Sequence, residues 1–309
     1  MIYASVIAQA IISTTAILAN LFAFLVILVT RKLRKNQSNI LLCSIIFGSI
    51  ILQIGIFLRA IFDFAFEVID EFVISCVTKF FLTLPVVFGL HTVNTCILFT
   101  ALQTLLCVKR PVIFRSLVNT RSQKIVCAFA LSYSLIGSSA MFIGADLSSN
   151  TSTTSVGDHW SDVYDAYFFV CIDVMPCITS VSFVITICLL RRRPSSDKNF
   201  YNKAMGALSM FLALYFILWF IPTLAQLIVH YSSLLSNDTE KLIGYVSNRF
   251  RDVYALMNPS LLFWKNREFR EGALDFLRLK SSNQVHEADQ QRFCKRKSRA
   301  WGDSDRSRF

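Results

Sequence analysis

Long apolar runs without charged residues constrain the fold of this chain more than any other feature. Residues 1–30 carry no Asp, Glu, Lys or Arg, and the same holds for residues 36–58 and 80–108. A helix needs about 20 apolar residues to cross a bilayer, and the runs are too long, and lack the strict alternation, for barrel strands. We therefore predict an all-α membrane protein, a bundle of seven transmembrane helices, with spans at about residues 6–30, 38–61, 78–108, 125–145, 166–190, 204–230 and 242–264.

The distribution of positive charge predicts which side each loop faces. Most of the 31 Lys and Arg residues follow the first, third, fifth and seventh predicted spans. Lys and Arg are retained in short cytoplasmic loops, so the amino terminus is predicted outside and the carboxyl terminus inside. The net charge of +11 thus encodes orientation first, and it indicates anionic inner-leaflet lipids, not nucleic acid, as charged partners.

The two ends of the chain have distinct patterns. A cleaved signal peptide is the alternative for the first span, but its apolar run is too long and its cations follow the run. Residues 265–279 predict an amphipathic helix on the inner leaflet, which would complete a membrane domain of residues 1–280. Residues 281–309 are predicted to be a disordered basic cytoplasmic tail, whose cations either contact anionic lipid or stay solvated.

Three glycosylation sequons test this topology. Asn150 and Asn237 lie in predicted outer loops, where a glycan is expected. Asn36 lies in a predicted inner loop, where its sequon should remain unglycosylated.

A motif at the end of the seventh span carries a family resemblance. The string Asn258-Pro259-Ser260-Leu261-Leu262 is followed, a few residues later, by Asn266-Arg267-Glu268-Phe269-Arg270. This resembles the rhodopsin-like G-protein-coupled receptors, in which an NPxxY motif leads into a short amphipathic helix. Pro259 removes a backbone hydrogen bond and kinks the helix, and the Asn258 amide can bond the freed groups.

The resemblance implies roles for residues in other spans. Trp219-Phe220-Ile221-Pro222 is similar to the family's C-W-x-P, with Phe220 in place of the switch tryptophan. Gln103-Thr104-Leu105 falls where the family has D-R-Y, and with Lys109 and Arg110 it would face a heterotrimeric G protein. The conformational switch implied by the resemblance comprises Asn20, Ser49, Pro176, Phe220, Pro222, Asn258, Pro259 and Leu262.

The departures from the family pattern narrow the resemblance. The arginine of D-R-Y is missing, Leu262 replaces the family's tyrosine, and Val86 stands where amine receptors carry an aspartate. Together with the short amino-terminal tail and the Phe-rich spans, this is most similar to the divergent nematode serpentine chemoreceptors. The family's outer disulfide would have only Cys76 and Cys171 as candidates here.

Ionisable residues within the spans are the first candidates for ligand binding, because charge is costly inside a membrane. Asp173, Arg249, Arg251 and Asp252 all lie in the outer halves of their spans. One interpretation is mutual neutralisation, with Asp173 or Asp63 pairing with an arginine of the seventh span. The other is that Arg249 or Arg251 binds an anionic group of a ligand, and only one of them need face inward.

Polar residues of the third span are further candidates. His91 and Asn94 lie one turn apart, and they either bond between helices or contact a ligand, to which Phe220 would also contribute. No ligand-spaced pair predicts a metal site, and no cofactor is expected.

The sequence therefore predicts a multi-pass plasma-membrane chemosensory receptor, with a sensory cilium as one candidate location. No enzyme is predicted, since the H-E-x-x-H, P-loop and G-x-S-x-G patterns are missing. The receptor would bind a small molecule, in one alternative an anionic one, in the outer half of the bundle and signal to a heterotrimeric G protein. Two other classes stay open: a ligand-gated seven-span channel, which the charge distribution disfavours, and a small transporter, for which no internal repeat is found.

Overall fold

The computed structural model describes residues 2–36, 38–69, 72–148, 150–151, 160–191, 213–232 and 237–277. Most of the third inner loop, the inner end of the sixth span and the predicted tail at 281–309 lie outside these residues. The two ends of the bundle are named below by the predicted orientation.

Long helices form at each predicted span. The first four spans are the helices Ile2–Val29, Ser38–Val68, Cys76–Lys109 and Thr120–Ser139, the last continued by a 3-10 turn at Ala140–Phe142. The fifth comprises Asp162–Phe169, a π-helical turn at Val170–Val174 and Met175–Arg191. The sixth is described from residue 213, with a π turn at Phe216–Phe220 followed by Ile221–Ser232, and the seventh is Asn237–Lys265.

Within the described residues, the first five spans are longer apolar helices than the described part of the sixth. Five helices within the described residues are long and apolar enough to cross a membrane, and the sixth span contributes the shorter apolar helix Ala213–Gln226. The seventh span is long, but its charged residues interrupt the apolar run. Large apolar side chains such as Leu18 and Phe81, which are 62% and 60% exposed, cover the outside of the bundle, as lipid requires.

The third span occupies the centre of the bundle. It packs against the second, fourth and fifth spans, while the first span packs against the second and seventh and the sixth against the seventh. Of the residues in the most apolar stretch of each helix, 72% are buried in the third span, but only 33% in the first and 33% in the fourth. Side chains of the third span therefore have access to most of the interior.

Glycines allow the second and third spans to approach closely. A Cβ atom on Gly89 would stand 2.6 Å from the backbone nitrogen of Leu52, and one on Gly55 would stand 2.8 Å from that of Val86. Small residues permit such backbone contact in membrane helices, where packing replaces the hydrophobic effect as the source of association.

The amphipathic helix predicted at 265–279 is Arg267–Phe276 in the structure. Asn266 caps it by accepting a hydrogen bond from the Phe269 backbone nitrogen at 3.1 Å. Phe269 and Ala273 are buried beneath the first span, and Lys32 forms an ion pair with Glu268 at 3.1 Å. The helix thus docks on the first span and the first inner loop.

Candidate ligand site and switch residues

An aromatic cluster fills the interior between the third, sixth and seventh spans. Tyr215 and Trp219 stack with ring centroids 5.6 Å apart, and Tyr254 meets both rings near edge-on at 5.7 and 5.5 Å. The Tyr215 hydroxyl donates to Asn94 Oδ1 at 3.2 Å. Asn94 therefore lies in the interior, as predicted from its position on the third span.

Arg251 extends from the seventh span towards this cluster. Its Nη2 donates to the Thr223 hydroxyl at 3.0 Å, and its guanidinium carbon lies 5.9 Å from the centre of the Trp219 ring. That distance is within the range of a cation–π contact. Arg251 is the inward-facing arginine of the predicted pair.

Arg249 has a different set of neighbours. Its Nη1 pairs with Asp252 Oδ2 at 3.3 Å, and its Nη2 donates to Gln9 Oε1 of the first span at 2.5 Å. Gln53 of the second span donates to the other carboxylate oxygen of Asp252 at 3.4 Å. Arg249 and Asp252 thus neutralise each other where the first, second and seventh spans meet. This is the mutual neutralisation considered above, but the acid is on the same helix as the arginine.

Several buried polar atoms in the interior have no hydrogen-bond partner among the described residues. Two are donors, Trp219 Nε1 and Asn94 Nδ2, and three are hydroxyls, of Thr95, Thr179 and Ser180. An unsatisfied buried polar group costs about 1–3 kcal/mol, so these atoms favour a bound molecule or water between the third, fifth and sixth spans.

Both prolines of the fifth and sixth spans follow a π turn. The Met175 backbone N–H bonds to the Val170 carbonyl, and the Ile221 N–H bonds to the Phe216 carbonyl, each five residues back. Pro176 and Pro222 come immediately afterwards. A proline ring crowds the carbonyl four residues earlier, and a wider turn there relieves the contact.

The π turn bears on the predicted role of Phe220. Trp219 is fully buried in the aromatic cluster, whereas Phe220 is half-buried and stacks on Phe216 at 5.1 Å. The interior position expected for Phe220 is thus taken by Trp219, which lies in the same π turn.

His91 has ring contacts with other residues than the Tyr215 hydroxyl that bonds to Asn94. The His91 ring is fully buried and contacts Tyr133 of the fourth span and Tyr167 and Phe168 of the fifth, with centroid distances of 5.8, 5.6 and 6.2 Å. It faces away from Arg251 and the aromatic cluster. Asp173 lies in the π turn of the fifth span, and its side chain is outside the described part of the chain.

The predicted switch residue Asn20 of the first span contacts the seventh span one turn before Pro259. Asn20 donates to the Ala255 carbonyl at 2.9 Å, and this carbonyl is the one that a residue at position 259 would bond if it had an N–H. Asn258 and Leu262 are buried on the same helix, and Ser49 is buried on the second span. The sequence predicts that the Asn258 amide bonds to the carbonyl freed by Pro259. In the structure Asn20 makes this bond instead.

A family model describes the whole bundle. Residues 13–276 match the serpentine type 7TM GPCR chemoreceptor Srsx family. The chain belongs to this family. A search of curated proteins found no match. The chain is therefore a seven-transmembrane chemosensory receptor of the G-protein-coupled type, and nothing favours the channel or the transporter.

At the inner end of this Srsx receptor, the residues in place of D-R-Y form an uncharged contact. Gln103 and Gln123 exchange two amide hydrogen bonds, of 3.3 and 2.8 Å, between the third and fourth spans. The Thr104 hydroxyl donates back to the Thr100 carbonyl, and Leu105 is half-buried. Lys109 and Arg110 are exposed at the end of the helix.

The outer loop is held to the third span by backbone bonds. Ile74–Ser75 and Asn150–Thr151 form a two-residue antiparallel ladder directly before Cys76. Cys76 and Cys171 are both free thiols, and Cys171 Sγ lies 2.7 Å from the Tyr133 hydroxyl. The disulfide that the resemblance implies is not formed in the structure, where Cys171 lies at the interface with the fourth span.

The predicted glycan acceptors are at element ends. Asn150 has an exposed side chain in the ladder, and Asn237 is the first residue of the seventh-span helix.

Sequence reasoning missed several residues of the site. Gln53, Thr223 and Gln123 are uncharged polar residues whose partners lie on other helices, so no local pattern singles them out. Trp219 is part of the Trp219-Phe220-Ile221-Pro222 string, but the comparison with C-W-x-P aligned the next residue, Phe220, with the family's tryptophan.

Proposed function

We propose that the receptor binds a small molecule with an anionic or acceptor-rich group between the third, fifth, sixth and seventh spans, with Arg251 as its main contact. The observation that carries this proposal is the convergence of donors around the aromatic cluster. Arg251 reaches the face of Trp219, and the unpartnered donors Trp219 Nε1 and Asn94 Nδ2 belong to the same connected group.

A carboxylate offers acceptors only, so it complements such a group of donors. Arginine suits this role because its planar guanidinium can bond both oxygens at once. The aromatic rings would contact an apolar part of the ligand, and Thr179 and Ser180 of the fifth span would contribute hydroxyls.

Ligand binding would be transmitted through the sixth span. Trp219 lies in the π turn, and Ser247 of the seventh span donates to the Pro222 carbonyl at 3.0 Å. A ligand shifts the conformational equilibrium only if it contacts one arrangement better than the other. A displacement of Trp219 would change the kink and swing the inner end of the span.

The inner face would then bind a heterotrimeric G protein. Lys109 and Arg110 lead into the short helix Pro111–Leu117, on which Val112 is 80% exposed. An exposed apolar side chain beside cations on a cytoplasmic loop favours a protein contact. We place the receptor in the plasma membrane, with the basic residues 281–309 as a tail near anionic lipid.

The experiment compares three arginine variants, Arg251→Gln, Arg251→Lys and Arg249→Gln, in heterologous cells. Second-messenger responses are recorded across an odorant panel that pairs each carboxylic acid with its amide, together with surface expression. We expect Arg251→Gln to lower the potency of the acids by about tenfold or more, at normal surface expression. Arg251→Lys should respond partially, because it keeps the charge and loses the bidentate geometry.

A receptor whose acid responses survive Arg251→Gln unchanged would contradict the proposal. Loss of surface expression in Arg251→Gln as well as in Arg249→Gln would assign both arginines to structural pairing instead.

A further inference from the structure

A buried acceptor without a partner lies on the sixth span, one helical turn outward from the contact between Thr223 and Arg251. The Gln226 side chain is half-buried, and its carbonyl oxygen Oε1 is buried without a hydrogen-bond partner among the described residues. Thr223 and Gln226 are three residues apart in the helix Ile221–Ser232, so they are neighbours on its surface. Gln226 is therefore on the side of the sixth span from which Thr223 contacts Arg251.

The Arg251 side chain extends outward from its backbone. The sixth and seventh spans pack against each other in opposite directions, and the Ser247 hydroxyl donates to the Pro222 carbonyl at 3.0 Å. Arg251 follows Ser247 by four residues, so its backbone lies about 6 Å deeper in the membrane. Its Nη2 nevertheless bonds to Thr223, which follows Pro222 in the outward direction. This is the direction expected on a helix that begins outside, because side chains tilt towards the amino-terminal end of their helix.

The Gln226 side chain tilts in the opposite direction. The sixth span begins inside, so its side chains tilt inward. The Gln226 backbone lies about 4.5 Å further out than that of Thr223, and the tilt brings its amide back towards the level of the guanidinium group. The donors of Arg251 and the acceptor of Gln226 thus approach the same depth from two helices. A ligand that binds both needs its two polar groups within about one helical turn, or 5 Å, of each other.

The chemistry of Gln226 Oε1 selects the second polar group of such a ligand. An amide carbonyl only accepts hydrogen bonds, so its partner must be a donor. An ammonium group there would lie beside the Arg251 guanidinium and be repelled by it. The carboxylate of Asp252 cannot offset this repulsion fully, because it pairs with Arg249 at 3.3 Å. The matching donor is therefore uncharged, and a hydroxyl group is the simplest.

We propose that the ligand of the Arg251 site is a hydroxy acid, whose carboxylate binds Arg251 and whose nearby hydroxyl donates to Gln226 Oε1. The inference rests on the proposed function, because it takes the carboxylate at Arg251 as given. It adds Gln226 as the residue that distinguishes a hydroxy acid from a plain acid. A plain acid would leave Oε1 buried without a donor, and sites that hydrogen-bond a substrate hydroxyl reject analogues lacking it for this reason.

The experiment uses isomeric acids on the full-length receptor in heterologous cells. Second-messenger responses are recorded for hexanoic acid, for 2-, 3- and 6-hydroxyhexanoic acid and for the matching methoxy acids. We expect the 2- or the 3-hydroxy acid to be about tenfold more potent than hexanoic acid, as one added hydrogen bond predicts. The 6-hydroxy isomer has its hydroxyl too far from the carboxylate, and a methoxy acid has no donor, so neither should gain potency.

Matched variants assign the preference to Gln226. In Gln226→Leu, which keeps a similar volume without a polar group, the potency ratio of the hydroxy acid to hexanoic acid should fall to about one. Leu224→Ala is the control on the same helix and should keep the ratio, because Leu224 is 38% exposed on the outside of the bundle. Arg251→Gln should lower the potency of both acids. The comparison of hydroxy, methoxy and plain acids is made on the unmodified receptor, so it does not depend on the folding of any variant.

The outcomes separate this inference from the proposed function. Acids that activate the receptor equally with and without the hydroxyl, or a ratio that Gln226→Leu leaves unchanged, would overturn the hydroxy acid and leave Arg251 as the carboxylate contact. A methoxy acid as potent as its hydroxy acid would overturn it too, since Gln226 would then offer its N–H instead. Potencies of both acids that survive Arg251→Gln would contradict the proposed function, and this inference with it.

Discussion

Arg249 and Arg251 show how two adjacent charges on one helix acquire different roles. Residues two apart on a helix are separated by about 200° around its axis, so the two side chains cannot face the same neighbours. Arg249 contacts Gln9 and Asp252, whereas Arg251 contacts Thr223 and Trp219. The first arginine is neutralised by a buried acid, and the second lies against an aromatic ring where an anion can approach.

The pair of Arg249 and Asp252 predicts a non-additive effect on folding. The Asp252 side chain is 3% exposed, so Arg249→Gln would leave a buried carboxylate without its cation, at a cost of about 3–5 kcal/mol. We expect Arg249→Gln to lose most of its surface expression, and Arg249→Gln combined with Asp252→Asn to recover it. Surface labelling and the melting temperature of the purified receptor measure the effect.

Arg267→Gln is the matched control, because Arg267 and Glu271 form an ion pair on an exposed helix face, with side chains 81% and 47% exposed. Such pairs contribute about 0–1 kcal/mol, so expression should hardly change. A double variant no better expressed than Arg249→Gln alone would contradict the pairing argument.

At the scale of the helix, prolines create defects that other elements repair. Asn20 satisfies the carbonyl freed by Pro259, and Ser247 donates to the Pro222 carbonyl, which is not the carbonyl that Pro222 frees. Both bonds come from neighbouring spans, so each joins two helices at a proline. A movement of one span is therefore coupled to the next through these bonds.

The contact between Gln103 and Gln123 predicts a change in basal signalling. The two amides join the third and fourth spans at the inner end, where the family's arginine is missing. Two net hydrogen bonds stabilise this arrangement by about 1–3 kcal/mol. If this is the resting arrangement, Gln103→Leu should raise agonist-independent signalling by about fivefold or more, measured as second messenger per receptor at the surface.

Lys109→Gln provides the control on the same helix, since Lys109 is exposed and outside the amide pair. A Gln103→Leu receptor that reaches the surface with unchanged basal signalling would show that the pair does not hold the resting state.

At the scale of the whole molecule, the sequence predicted the elements better than the directions of their side chains. Apolar run length locates the spans because the bilayer sets that length. The helices run beyond these runs where water begins: the second continues to Val68 and the seventh starts at Asn237. Polar residues in those extensions could form a helix or a loop equally well, so the sequence left the ends open.

The candidate site was less predictable for a physical reason. Whether an interior residue faces one neighbour or another depends on helix rotation, and a single π turn changes that rotation without any signal in residue spacing. Trp219 has the interior position that the sequence predicted for Phe220. The contacts of Gln123 and Thr223 depend on helices 20 and 28 residues distant in the chain, which no local motif records.

The orientation of the whole bundle in the membrane can be tested with the glycosylation sequons. Oligosaccharide is transferred only on the lumenal side, which becomes the outside of the cell, so a sequon reports the side on which it lies. Asn150 projects an exposed side chain from the ladder at the predicted outer end. Asn36 ends the first inner loop, beside the cations that should hold that loop in the cytoplasm.

We expect treatment with an N-glycosidase to increase the gel mobility of the receptor, and Asn150→Gln and Asn237→Gln each to remove part of that shift. Asn36→Gln should leave the shift unchanged, which makes it the internal control within one chain. A glycan lost only in Asn36→Gln would reverse the orientation. Arg251 would then lie in the inner half of the bundle, where an external ligand has no direct access.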